Sequence, residues 1–146
     1  MNKRNLIILA IIVIGIMTRF IDALPPNFGA VGAIALFGGA YFSNRKIGLL
    51  LPVAVLFASD LLFGLTGAGS AYYAAQPYVY ISFLMVVMLG FALRGTNNPL
   101  KILGGSLGGS MIFFIVSNLG VWLTTTMYAG SLSGLAACFT EAIPFF

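Results

Sequence analysis

The chain has 146 residues, of which 60% are hydrophobic and 7% are charged, against roughly 25% charged in ordinary globular domains. So few charges cannot cover a soluble domain of this size, and so apolar a composition excludes disorder. Histidine is absent and Cys138 is the single cysteine, which excludes a His/Cys zinc site, a disulfide framework and a Ser-His-Asp triad.

What remains is one polytopic membrane domain over residues 1–146. A crossing helix needs about 20 mostly apolar residues. The first span is expected from Asn5 to Phe20, with Arg19 reaching toward the interface. Lys3, Arg4 and the apolar run Leu6 to Met17 also resemble a signal peptide. Thr18 to Asp22 lacks the small-residue cleavage pattern, so an uncleaved first helix is favoured. Pro25-Pro26-Asn27 breaks the chain. The second span, Gly29 to Ser43, is short and rich in small residues. The third is Ile47 to Thr66, interrupted by Asp60. Gly67 to Ala75 is a small-residue connection, and the fourth span is Pro77 to Leu93. Gly95 to Pro99 forms a turn. The fifth span is Leu100 to Leu123, and Thr124 to Ser133 connects it to a sixth segment from Gly134 to Phe146. That segment reaches only ~20 Å at ~1.5 Å per residue. It either half-inserts or belongs to a shortened six-helix design. The expected fold is an all-α integral membrane protein with five transmembrane helices and a short sixth segment.

Charge fixes the expected orientation. Lys3, Arg4, Arg45, Lys46, Arg94 and Lys101 all fall on one side, whereas the opposite loops carry Arg19 beside Asp22. The positive-inside rule places the N-terminus in the cytoplasm. The cations come as scattered pairs and form no patch, so the net charge of +4 calls for no nucleic-acid partner.

Ionisable groups inside a membrane are costly, about 2.5–3.5 kcal/mol at helix centre, and mark candidate sites. Asp60 and Glu141 are expected at similar depths in the outer half. Asn118, Arg19, Asp22 and Asn27 share that half. Arg19 and Asp60 form either an orienting ion pair or part of a pocket wall. The aromatics Phe20, Phe28, Tyr72, Tyr73, Tyr78, Tyr80, Trp122 and Tyr128 concentrate there too, by default as an interfacial belt. Trp122 and Tyr128 are the best ligand-stacking candidates because they lie near Asn118. Cys138 reads as a packing residue.

Small residues mark contact faces. Gly104-Gly105 and Gly108-Gly109 overlap as small-xxx-small pairs, and span two carries Gly29, Gly32, Ala33, Gly38, Gly39 and Ala40. They serve either packing within the bundle or docking of another membrane subunit. Ser106, Ser110 and Ser117 lie within about 40° of one another on a helical wheel. They are expected to face protein or water.

The run Arg19 … Leu24-Pro25-Pro26-Asn27-Phe28-Gly29-Ala30-Val31-Gly32-Ala33-Ile34-Ala35-Leu36-Phe37-Gly38-Gly39-Ala40-Tyr41-Phe42 resembles a bacterial family of uncharacterised membrane proteins described as transport proteins. Ser59-Asp60, Ser117 to Trp122, Met127-Tyr128, Gly134-Leu135 and Ala142 to Phe146 carry the same resemblance. That family is similar to the substrate-binding S components of energy-coupling-factor (ECF) vitamin transporters. The resemblance implies a six-helix bundle in the bacterial inner membrane, with a solute pocket open to the outside. It also implies partners: a transmembrane coupling subunit and two cytoplasmic ATPases. S components commonly meet the coupling subunit through an Ala-xxx-Ala face on helix one. Here Ala10 is followed by Ile14, and Ala35-xxx-Gly39 of span two is the nearest equivalent, with Gly105 and Gly109 as a second candidate face.

Two functions are therefore expected in competition. The first is a non-enzymatic small-molecule-binding membrane subunit that needs no cofactor. Its pocket residues would be Arg19, Asn27, Asp60, Asn118, Trp122, Tyr128 and Glu141. The second is a structural or accessory subunit of a larger membrane complex.

Overall fold

The computed structural model describes residues 3–21, 30–67 and 72–145. Among them are six α-helices and no strand: α1 (Lys3–Arg19), α2 (Val31–Tyr41), α3 (Arg45–Thr66), α4 (Gln76–Ala92), α5 (Pro99–Thr124) and α6 (Leu132–Ala142). A 3-10 turn over Ile143–Phe145 follows α6.

Local chemistry sets the ends. The Asn44 side chain accepts from the Lys46 N–H at 3.0 Å, starting α3. Asn98 accepts from the N–H groups of Leu100 and Lys101 at 2.9 and 3.4 Å, with Pro99 in the first turn of α5. Ser131 accepts from Gly134 at 3.2 Å and starts α6. Each cap satisfies N–H groups that have no partner inside the helix. Gly67 closes α3 in the left-handed region, φ 67°, and donates to the Phe63 carbonyl, a conformation that a side chain would disfavour.

Contacts fix the directions. Gly15 lies against Val55 and Arg19 reaches Asp60, so α1 runs parallel to α3. Gly32 lies against Phe83 and Gly39 against Gly90, so α2 runs parallel to α4. Gly105 meets Leu93 and Gly120 meets Tyr78, so α4 and α5 are antiparallel. Phe114 and Phe139 meet edge-on at 5.6 Å between α5 and α6. The helices form a row, α1–α3–α2–α4–α5–α6, in which α3 also touches α4 and α2 also touches α5. Helices α1, α3 and α5 all start at one end, here the basal end, and finish at the apical end. The core sits where α2, α3 and α4 meet, with Ala35, Val55 and Val87 fully enclosed.

Basic residues gather at the basal end. Lys3, Arg45, Lys46 and Lys101 lie in the first turns of α1, α3 and α5. Arg94, just past α4, donates through Nε to the Gly39 carbonyl at 2.8 Å and through a second nitrogen to the Phe42 carbonyl. It thereby caps the carbonyl end of α2, where a cation is favoured. Arg45 and Arg94 both pack over the Phe91 ring, at 5.6 and 4.9 Å.

Several expectations change. Helices α3 and α5, at 22 and 26 residues, are long and apolar enough to cross a membrane. Helix α2 has 11 residues, about 16 Å at ~1.5 Å per residue, well short of a bilayer core. It stops at Tyr41 because Phe42 is extended. The four residues expected to meet a partner subunit are enclosed by the bundle. Ala35 is buried in the core. Gly39 abuts the α4 backbone, Gly105 the Leu93 side chain and Gly109 the Val86 side chain. Their small size is used for close approach of neighbouring helices within the chain. Ser106 and Ser110 are exposed. Ser110 and Ser117 donate to carbonyls one turn back, at 3.3 and 2.6 Å. Such bonds meet the hydroxyl's need within its own helix.

Candidate functional site

Asp60 lies one and a half turns before the end of α3 and is buried, 4% exposed. Its two oxygens are shared among three residues of two other helices. Oδ1 forms an ion pair with Arg19 of α1 at 2.7 Å. Oδ2 accepts from Gln76 Nε2 at 2.5 Å and from the Tyr80 hydroxyl at 2.8 Å. Gln76 and Tyr80 stand four apart on the opening turns of α4, hence on one face. The same Arg19 nitrogen donates to Ser59 Oγ and to the Leu56 carbonyl at 3.3 Å. The guanidinium rests over Phe63 at 5.3 Å, and Phe63 stacks on Phe20 at 4.2 Å. A buried carboxylate with one partner would be a liability, and this one has three. The network ties α1, α3 and α4 together at the apical end.

Beside it opens a cleft of about 280 Å³, lined by Phe57, Tyr72, Gln76, Pro77 and Tyr80. Gln76 and Tyr80 belong to both the cleft wall and the Asp60 network. Tyr73, in the adjoining connection, has its phenol pushed above the ordinary value of 10.0 by desolvation and then by the negative charge of Asp60.

The chain belongs to DUF6580, a family of unknown function. The match covers residues 1–146. No curated protein and no solved structure matches the chain.

In this DUF6580 protein the seven residues expected in one pocket are not brought together. Arg19 and Asp60 meet as described. Asn27, with Asp22 and the Pro25-Pro26 break, lies outside the described residues. Asn118, Trp122, Tyr128 and Glu141 form a second cluster at the far edge of the row. Tyr128 donates to Glu141 Oε2 at 2.9 Å, and that hydrogen bond pushes the phenol above 10.0. Trp122 Nε1 donates to the Ala129 carbonyl at 2.9 Å. The Asn118 amide donates to its own helix at Phe114, 2.8 Å. Cys138, buried as expected of a packing residue, points its Sγ at the Asn118 carbonyl, 3.5 Å. These bonds close the α5–α6 hairpin. Among the described elements α6 packs on α5 and on the turn that follows it. Glu141 therefore has no route to Asp60 through a shared helix interface.

Of the seven, none of the six described residues lines the cleft of the DUF6580 chain. Tyr72 and Tyr80 read as belt aromatics and Pro77 as the start of the fourth span, while Phe57 and Gln76 carry no charge or motif that marks them in the sequence. Gln76 is the only glutamine in the sequence and stands one turn before Tyr80, which was the available signal.

Proposed function

We propose that this chain is a multi-pass protein of the bacterial inner membrane that binds a small molecule from the outer side, in the manner of an ECF S component. The observation that carries the reading is the buried Arg19–Asp60 pair beside an open aromatic cleft. In a chain with so little charge, an ionisable pair inside apolar helices is a default mark of a functional site. The basal cluster of cations supports a cytoplasmic N-terminus and, with it, a cleft that faces the outer side. The α1 and α4 helices, 17 residues each, stand at the short end of the spanning range. The role is binding, with transport energy supplied by a coupling subunit and its ATPases. Since Ala35 and Gly39 are enclosed, such a subunit would meet the exposed apolar face of α1, which includes Leu6, Ile14 and Met17.

Native mass spectrometry of the protein released from lipid nanodiscs tests this reading. A stoichiometric small molecule retained by the chain is expected. A chain that emerges bare, from membranes and after incubation with cell extract alike, would count against it.

A structural or accessory role in a larger complex is the second reading. The uncovered side of α5, with Leu103, Leu107, Met111 and Ile115 exposed, favours it. Blue-native electrophoresis after mild solubilisation separates the two, because this reading requires a co-migrating partner.

A further inference from the structure

Charge balance and shape at the cleft narrow the ligand class, granted that the cleft is the binding site proposed above. Its wall is Phe57, Tyr72, Gln76, Pro77 and Tyr80: three aromatic rings, a proline and one amide. Among the described residues, none of that wall is charged at neutral pH. The nearby carboxylate is already committed, with Arg19 on one oxygen and Gln76 and Tyr80 on the other. A cationic ligand would have to compete with Arg19 for Asp60. An anionic ligand would meet no cation in the wall and would sit beside a carboxylate. Either would lose hydration without an equal partner, which is costly in an apolar site.

Two further observations add detail. The Tyr80 hydroxyl gives its proton to Asp60, so its oxygen faces other groups as an acceptor. A ligand that contacts it must donate. The volume of about 280 Å³ lies just under the usual range for drug-sized pockets, roughly 300–1,000 Å³, which suits one ring system. Rings at the wall favour a flat partner that can stack or meet them edge-on.

We infer that the cleft between α3 and α4 takes a small, uncharged, flat-ringed molecule that carries an N–H or O–H donor. Ring faces hold the body of the ligand. Tyr80 reads its donor, and Asp60 and Arg19 act behind Tyr80 and Gln76 as a neutral, pre-paired support.

The test uses the full chain in nanodiscs and saturation-transfer NMR on three probes: benzamide, benzylamine and cyclohexanecarboxamide. Wild type is compared with Phe57→Ala and Tyr80→Phe. Phe57 is exposed, so its loss leaves the core intact, and melting curves verify folding of both variants. Benzamide is expected to give a signal several-fold above the other two, and to lose most of it in both variants. A benzylamine signal equal to or above that of benzamide, lost in Phe57→Ala, overturns the uncharged class while the site stands. Equal signals from benzamide and cyclohexanecarboxamide, both lost in Phe57→Ala, overturn the flat ring. Equal signals from all probes in wild type and variants alike overturn this inference and the binding site together.

Discussion

Asp60 is the residue on which the apical end depends. Replacing it with Ala leaves the Arg19 guanidinium, whose side chain is 24% exposed, without its anion and removes the carboxylate acceptor of Gln76 Nε2 and the Tyr80 hydroxyl. Breaking a largely buried pair from one side costs about 3 kcal/mol or more. Asp60→Ala should therefore lower unfolding stability in micelles by that order. The double variant Arg19→Met, Asp60→Leu should recover a large part, because no charge is then left unpaired. If the double variant is no better than the single one, the pair is not the source of the effect. The two displaced phenols make a second prediction. The native state holds the Tyr73 and Tyr128 protons more tightly than the unfolded chain, since both are raised above 10.0. That contribution is complete below pH 10.0 and disappears as pH climbs through the raised values. The melting temperature should be insensitive to these groups between about pH 7 and about pH 9, and fall beyond pH 10.0. Phenolate absorbance should show late-titrating tyrosines, one fewer in Tyr128→Phe.

Among the elements, the α2–α4 contact is the least forgiving. A Cβ on Gly39 would stand 2.2 Å from the Val87 carbonyl oxygen and 2.9 Å from Gly90 Cα. Both are backbone atoms that cannot swing aside, so Gly39→Ala must separate two helices at the core. A loss of about 2 kcal/mol or more is expected, in the range of overpacked cores. Gly104 has nothing within 4 Å of such a Cβ. Gly104→Ala should be neutral or stabilise by up to ~1 kcal/mol, as alanine is the better helix former. Equal unfolding midpoints for the two variants would refute the close approach. Helix positions were legible in the sequence because breakers and capping residues punctuate long apolar runs. Asn44, Asn98 and Ser131 each stand at a helix start. Which helix meets which was not legible. A glycine face looks the same whether it packs inside the chain or against another subunit, and Gly39 and Gly105 proved to be of the first kind.

At the scale of the whole molecule, the arrangement of helices decides the site. Similar depth in the sequence suggested that Asp60 and Glu141 share a pocket. Depth fixes a level along the bundle and leaves the position across it open. The row α1–α3–α2–α4–α5–α6 puts α6 at the far edge, so Glu141 closes a hairpin while Asp60 joins α1 to α4. The Arg19–Asp60 pair itself was legible, as two opposite charges at matching ends of parallel helices. Orientation gives a further prediction. In Cys138→Ala protein, Met127→Cys should react with an impermeant maleimide on intact cells, and Asn97→Cys only after permeabilisation. The reverse pattern would turn the protein over and place the cleft inside.

The proposed ligand site is the Asp60–Tyr80 end of the bundle and not the Tyr128–Glu141 hairpin. Native mass spectrometry of Tyr80→Phe and Glu141→Gln, each checked for wild-type folding, tests it most directly. The retained small molecule should be lost or much depleted in Tyr80→Phe and kept in Glu141→Gln. A molecule kept in Tyr80→Phe and lost in Glu141→Gln would contradict it.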